Sequence, residues 1–375
     1  MLEGSATPDA TAAFAARRVK DSGAASGHFR TARGLTVGTV GLGSYLGEPD
    51  DATDAAYEAA VEEFVRLGGN VIDTAINYRA QRSERSIGRA LGRCVSSGLA
   101  RREELVLCTK AGYLSFDGHF PSNAKELTAW IDRTFYKNGV MRPDDIVEGC
   151  HVMTPGYLRH QLSQSQRNLD CDSIDVFYLH NPETQLKEVE RPAFLKRIRA
   201  AFEALEEMAA ARTIGAYGLA TWNGFRVAPT TEEYLSLEEL VGVARSLAGD
   251  SHHFRFLQAP FNLAMLEAAR FANQRVGHQL VPLFEAATRL EIACVASATI
   301  LQGKLSSELP DAIAAVFPGL ASDAMRAIQF NRSTPSVAAT LVGMSSTAHV
   351  VENMGLVKRP PAPGETVKKL LLRLA

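Results

Sequence analysis

Eight stretches of this chain are apolar on nearly every residue, with helical patterns between them, and that alternation constrains the fold more than any other feature. The runs fall at Val37–Gly41, Asn70–Thr74, Leu105–Lys110, Ile174–His180, Ile214–Ala220, Phe254–Gln258, Ile292–Ala296 and Thr340–Val342. A strand that is apolar on every residue is buried on both faces, as in a parallel sheet covered by helices. Between the runs, Leu280, Leu283, Phe284, Ala287 and Leu290 mark one helix face. Phe202, Leu205, Met208 and Ala209 do the same, as do Ala60, Val61, Phe64 and Val65. Thr154-Pro155 reads as a helix start, and Leu67-Gly68-Gly69 as a stop. Strand ends recur at intervals of roughly 40 residues, and eight such units predict a closed (β/α)8 barrel. An open doubly wound sheet is the competing topology, but Gly38, Gly41 and Gly43 lack the spacing of a dinucleotide-binding glycine motif.

One interval is too long. Lys110 and His180 lie roughly 70 residues apart, so the loop after the third strand is enlarged. The segment 111–153 carries Tyr113, Phe116, Phe120, Trp130, Phe135 and Tyr136 and a short helix at Ala124–Tyr136. Leaving the strand rim, it is placed to act as a lid, or else as a peripheral subdomain or oligomer contact. Residues 1–29 are rich in Ala, Ser, Gly and Asp and are expected to form a disordered or loosely docked tail with a helical turn at Ala10–Lys20. Charges interrupt any signal-peptide core there. Residues 30–375 are expected to form one domain.

A net charge of −2 offers no electrostatic reason for a nucleic-acid or acidic-membrane partner. No apolar stretch reaches membrane-spanning length. Cys94, Cys108, Cys150, Cys171 and Cys294 are scattered, which suits a reducing cytoplasm and leaves no metal-ligand spacing.

Four polar residues mark where the chemistry lies. Asp73, Lys110 and His180 each close an apolar run, and Tyr78 follows Asp73 by a short turn. In α/β folds such strand ends meet at one rim, where a phenol, an ammonium, a carboxylate and an imidazole can deliver a proton to a carbonyl oxygen.

These residues sit in motifs that resemble the aldo-keto reductase family. Asp73-Thr74-Ala75-Ile76-Asn77-Tyr78, Ser83-Glu84 and Ile87-Gly88-Arg89-Ala90-Leu91 match its signature, as do Thr109-Lys110 and Leu179-His180. Gly343-Met344-Ser345-Ser346 with Glu352-Asn353 resembles its adenine-nucleotide segment. The resemblance implies NAD(P)H-dependent reduction of an aldehyde or ketone, or the reverse, with Tyr78 as general acid or base. Lys110 would lower the Tyr78 pKa, Asp73 would hold the ammonium, and His180 would orient the carbonyl.

The same resemblance implies cofactor contacts at Ser44, Thr221, Gln258, Ser297, Gly303, Lys304, Gly343, Ser345, His349, Glu352 and Asn353. Here the pattern departs from the family. Ala220-Thr221 replaces a serine–asparagine pair, Ser297 replaces a stacking tyrosine, and His349 replaces an arginine for the 2′-phosphate. NADPH is expected as the cofactor, with NADH still open. Tyr45, Tyr113 and Trp222 follow barrel strands and are expected at the substrate, favouring an apolar or ring-bearing carbonyl compound over a phosphorylated one. The missing cofactor contacts also leave open a cofactor-binding regulatory subunit on the same barrel.

Overall fold

The structure is a computed structural model and describes residues 1–374. Eight parallel strands close into one barrel in chain order: β1 (Val40–Gly43), β2 (Val71–Asp73), β3 (Val106–Ala111), β4 (Ile174–His180), β5 (Ile214–Ala220), β6 (Phe254–Pro260), β7 (Ala293–Ser297) and β8 (Val337–Gly343). Pairing runs unbroken from β1 to β8, and β8 pairs with β1 through Gly343 and Gly43. This is the expected (β/α)8 barrel.

Burial explains why the runs are apolar on every residue. Inward side chains such as Val71, Val106, Val176, Tyr178, Phe256 and Leu341 fill the barrel interior. Outward ones, including Ile72, Leu107, Phe177 and Leu219, pack against the surrounding helices. Burying each large side chain contributes about 1.5–3 kcal/mol. Gly218 is required by this packing, because a Cβ there would meet the Phe256 carbonyl oxygen at 2.4 Å and the Tyr178 ring at 2.8 Å.

Two expectations are corrected at the barrel floor. The first apolar run is not one strand: Leu35–Gly38 pairs antiparallel with Phe29–Ala32, and only Val40–Gly43 enters the barrel. The hairpin buries Ala32 and Val37 against the interior cluster and so closes the N-terminal end. Residues 1–29 are not a loose tail either. Thr7 caps a helix, Pro8–Ser22, which ends at a left-handed Gly23. Phe14 on that helix is fully buried. Arg17 holds Glu104 through two 2.9 Å bonds, and the Ala6 N–H donates to Asp175 at 2.6 Å.

The enlarged loop after β3 builds its own small core. Leu114, Ile131, Phe135, Met141 and Val152 pack with Tyr157 from the helix Pro155–Leu169. Trp130 donates to the Ser115 carbonyl at 3.0 Å. The segment thus has a core of its own, and of its side chains only Tyr113 lines the central cavity.

Candidate active site

Parallel register carries the polar strand ends to one rim: Asp73 lies level with Cys108, Lys110 with Tyr178, and His180 with Ala220 and Gln258. Asp73 and His180 border a cavity of about 680 Å³. Lys110 is fully buried beneath it. Its ammonium donates to the Asp73 carboxylate and, at 2.7 Å, to the Thr74 carbonyl. The other Asp73 oxygen accepts from Gln258 Nε2 at 2.9 Å. Lys110 Nζ lies 5.0 Å from the centroid of the Tyr78 ring. Tyr78, Asp73 and His180 all line the cavity.

Tyr78 is held in place by an unusual turn. The next three residues, Arg79, Ala80 and Gln81, adopt left-handed φ values of 49°, 52° and 70°. Non-glycine residues there cost about 1–3 kcal/mol each, so surrounding contacts must hold them. Arg79 pairs with Asp54 and donates to the Glu48 carbonyl at 2.8 Å, while Gln81 accepts from Asn168 at 2.9 Å.

Electrostatics corrects one expectation. Burial raises the Tyr78 pKa; the nearby Lys110 charge opposes it without overcoming it. Tyr78 is thus a protonated phenol at neutral pH, the form a proton donor needs. Burial pulls Lys110 down, but its neighbours together, the Asp73 carboxylate first among them, more than offset this, so the ammonium stays charged. Burial, then the Lys110 charge, drives His180 well below the ordinary histidine range. A neutral imidazole keeps a single N–H to donate. Behind it, His151 hydrogen-bonds the His180 carbonyl at 2.7 Å, and the Tyr113 ring meets the His180 ring edge-on at 5.1 Å.

Of the expected contacts, Ser44, Tyr45, Tyr113, Thr221, Trp222, Gln258, Ser297, Lys304 and Gly343 line the cavity. Gly303, Ser345, His349, Glu352 and Asn353 do not, although they lie along the same rim after β7 and β8. Ser346 caps the helix Thr347–Met354 that carries the last three. Sequence reasoning missed Asn77, Asn181, Thr299 and Gln302 in the wall. Asn77 and Asn181 flank Tyr78 and His180 directly, and that adjacency was the available signal. Asn181 also takes a left-handed φ of 45°, which asparagine tolerates better than most residues.

The profile of the Aldo/keto reductase family matches residues 35–315. The chain belongs to this family. Among individual aldo-keto reductases and related enzymes, it is 28% identical over 194 residues to the D-threo-aldose 1-dehydrogenase of a Pseudomonas species, covering 50% of this chain and 51% of that one. It is 27% identical over 143 residues to the NAD(P)H-dependent D-xylose reductase of Kluyveromyces lactis, covering 38% and 30%. The matches thus span about half or less of these relatives' lengths. The fold is similar to that of an aldo-keto reductase from Bacillus halodurans in its holo form, with TM-score 0.63 and 19% identity over 92% of this chain and 96% of that one. It is also similar to a Klebsiella pneumoniae aldo/keto reductase in complex with NADP and acetate, with TM-score 0.60 and 19% identity over 92% and 94%.

Proposed function

We propose that this chain reduces an aldehyde or ketone to an alcohol, or runs the reverse reaction, with NADPH as cofactor and Tyr78 as general acid. The observation that carries this reading is the buried Lys110 ammonium, anchored by Asp73 and set beside the Tyr78 ring. The cavity wall fits a dinucleotide. Thr221 Oγ1 and Thr299 Oγ1 are buried there without a protein partner. Gln258 commits its Nε2 to Asp73, which leaves Oε1 free to accept from a carboxamide.

Ser44, Thr221, Gln258 and Ser297 would hold the nicotinamide end. Gly303, Lys304 and Gly343 would follow the pyrophosphate, and Ser345, His349, Glu352 and Asn353 the adenosine end. The chemistry NADPH supplies when bound is hydride transfer to the carbonyl carbon. Tyr78 gives its proton to the carbonyl oxygen, and Lys110 stabilises the phenolate left behind. His180 donates a hydrogen bond to the same oxygen and orients the carbonyl. The aldose dehydrogenase and xylose reductase relatives support a small neutral carbonyl or sugar-like substrate. Tyr45, Tyr113 and Trp222 support one that carries a ring.

Tyr78→Phe tests the acid. NADPH binding, followed by fluorescence, should persist while turnover falls about 10²–10⁴-fold, the usual share of a positioned proton donor. Near-normal turnover overturns the assignment. Initial rates at equal NADPH and NADH test the cofactor, and a roughly tenfold advantage for NADH, about 1.4 kcal/mol, reverses that choice.

A further inference from the structure

Glu183 lies three residues beyond His180, on the turn Pro182–Lys187, and is buried. Its Oε1 accepts from three successive backbone N–H groups, those of Trp222 at 2.8 Å, Asn223 at 3.0 Å and Gly224 at 3.2 Å. Oε2 has no hydrogen-bond partner. Three convergent N–H groups meet one carboxyl oxygen; burial raises the Glu183 pKa while these bonds pull it down, so the cradle rests on an acceptor oxygen at this position rather than on its charge. Nothing in barrel closure requires this arrangement, because β5 ends at Ala220, before the segment begins.

The cradle fixes a part of the cavity wall. Trp222 lines the cavity with 45% of its surface exposed, so little packing holds its indole from the solvent side. Its position is set through its backbone. The flanks are tied as well: Asn223 donates to Glu233 at 3.0 Å, and Arg226 pairs with Glu267 at 2.7 Å. Gly224 sits so close that a Cβ would meet Leu235 at 2.6 Å.

We propose that Glu183 is a positioning residue: its carboxylate fixes the backbone of 222–224 so that Trp222 stands as one wall of the cavity mouth. That wall favours ring-bearing carbonyl compounds over short aliphatic aldehydes. The specificity half rests on the reductase reading above, while the placement of Trp222 does not.

The chain has two tryptophans, and the other, Trp130, belongs to the outer subdomain, so Trp130→Phe makes Trp222 the sole reporter. In that background Glu183→Ala should lower Trp222 anisotropy and increase its quenching by acrylamide, and Glu183→Gln should restore most of both. With NADPH saturating, Glu183→Ala should raise KM for an aromatic aldehyde about tenfold, while kcat and KM for a short aliphatic aldehyde stay within about twofold. Trp222→Ala should raise KM for the aromatic aldehyde at least as much. Unchanged anisotropy in Glu183→Ala overturns the positioning role, whatever the activity. Equal KM changes for both aldehydes overturn the specificity role. If Glu183→Ala does not fold, the graded response of Glu183→Gln and the Trp222→Ala kinetics decide the same two questions. If the parent chain turns over neither aldehyde, the reductase reading fails and the anisotropy result alone judges Glu183.

Discussion

Replacing Lys110 by methionine removes a buried cation whose partners are the Asp73 carboxylate and the Thr74 carbonyl. Asp73 then keeps only the neutral Gln258 donor at 2.9 Å. Breaking one partner of a buried pair costs about 3–5 kcal/mol, because the remaining charge has lost its compensation. Burial already raises Asp73 above the ordinary carboxylate range, against the pull of Lys110. Without Lys110 that rise grows. A carboxyl with a folded pKa above its unfolded one binds more protons when folded, so its contribution is fully present below the unfolded pKa and fades as pH climbs through the folded one. Lys110→Met should therefore lose stability relative to the parent as pH rises above the ordinary carboxylate range, with a slope approaching about 1.4 kcal/mol per pH unit within the titration window. Urea denaturation at several pH values measures this. Adding Asp73→Asn should recover most of the loss and flatten the pH dependence, because no charge is then left buried. A pH-independent destabilisation, or no recovery in the double variant, refutes the argument that an uncompensated carboxylate is the cause.

Other outcomes follow from the same geometry. Phe14→Ala should cost about 3–5 kcal/mol and expose the N-terminal helix to proteolysis, since this ring anchors Pro8–Ser22. Gly218→Ala should destabilise the barrel by about 1–3 kcal/mol, because a Cβ would meet the Phe256 carbonyl oxygen, and the urea midpoint will show it. Phe135→Ala should lower the thermal midpoint while leaving substrate KM near that of the parent, because this residue packs in the outer subdomain and is absent from the cavity wall.

The layered character of this chain was legible before any coordinates. Runs apolar on every residue demand two covered faces, and their roughly even spacing admits few topologies. Asp73, Lys110 and His180 stood out because a polar group ending such a run must meet either solvent or a partner. The exceptions were places where local pattern carried no information about distant contacts. The Val37–Gly41 run reads as one strand, and only the hairpin pairing of Leu35–Gly38 with Phe29–Ala32 splits it. The Ala-rich helix Pro8–Ser22 buries one large apolar side chain, Phe14, too little to signal a docked helix until its pocket exists. The upward shift of the Tyr78 pKa likewise depends on burial, which no sequence neighbour reports.

Residue order alone determined which elements form and which four groups reach the rim, because hydrophobic period and strand direction are local properties. Tertiary structure alone decided that the 222–224 backbone cradles Glu183, that the segment 111–153 shares a small core with Tyr157, and that burial outweighs Lys110 at Tyr78. Each of these is a balance between groups distant in sequence, and it exists only once the barrel has brought them together.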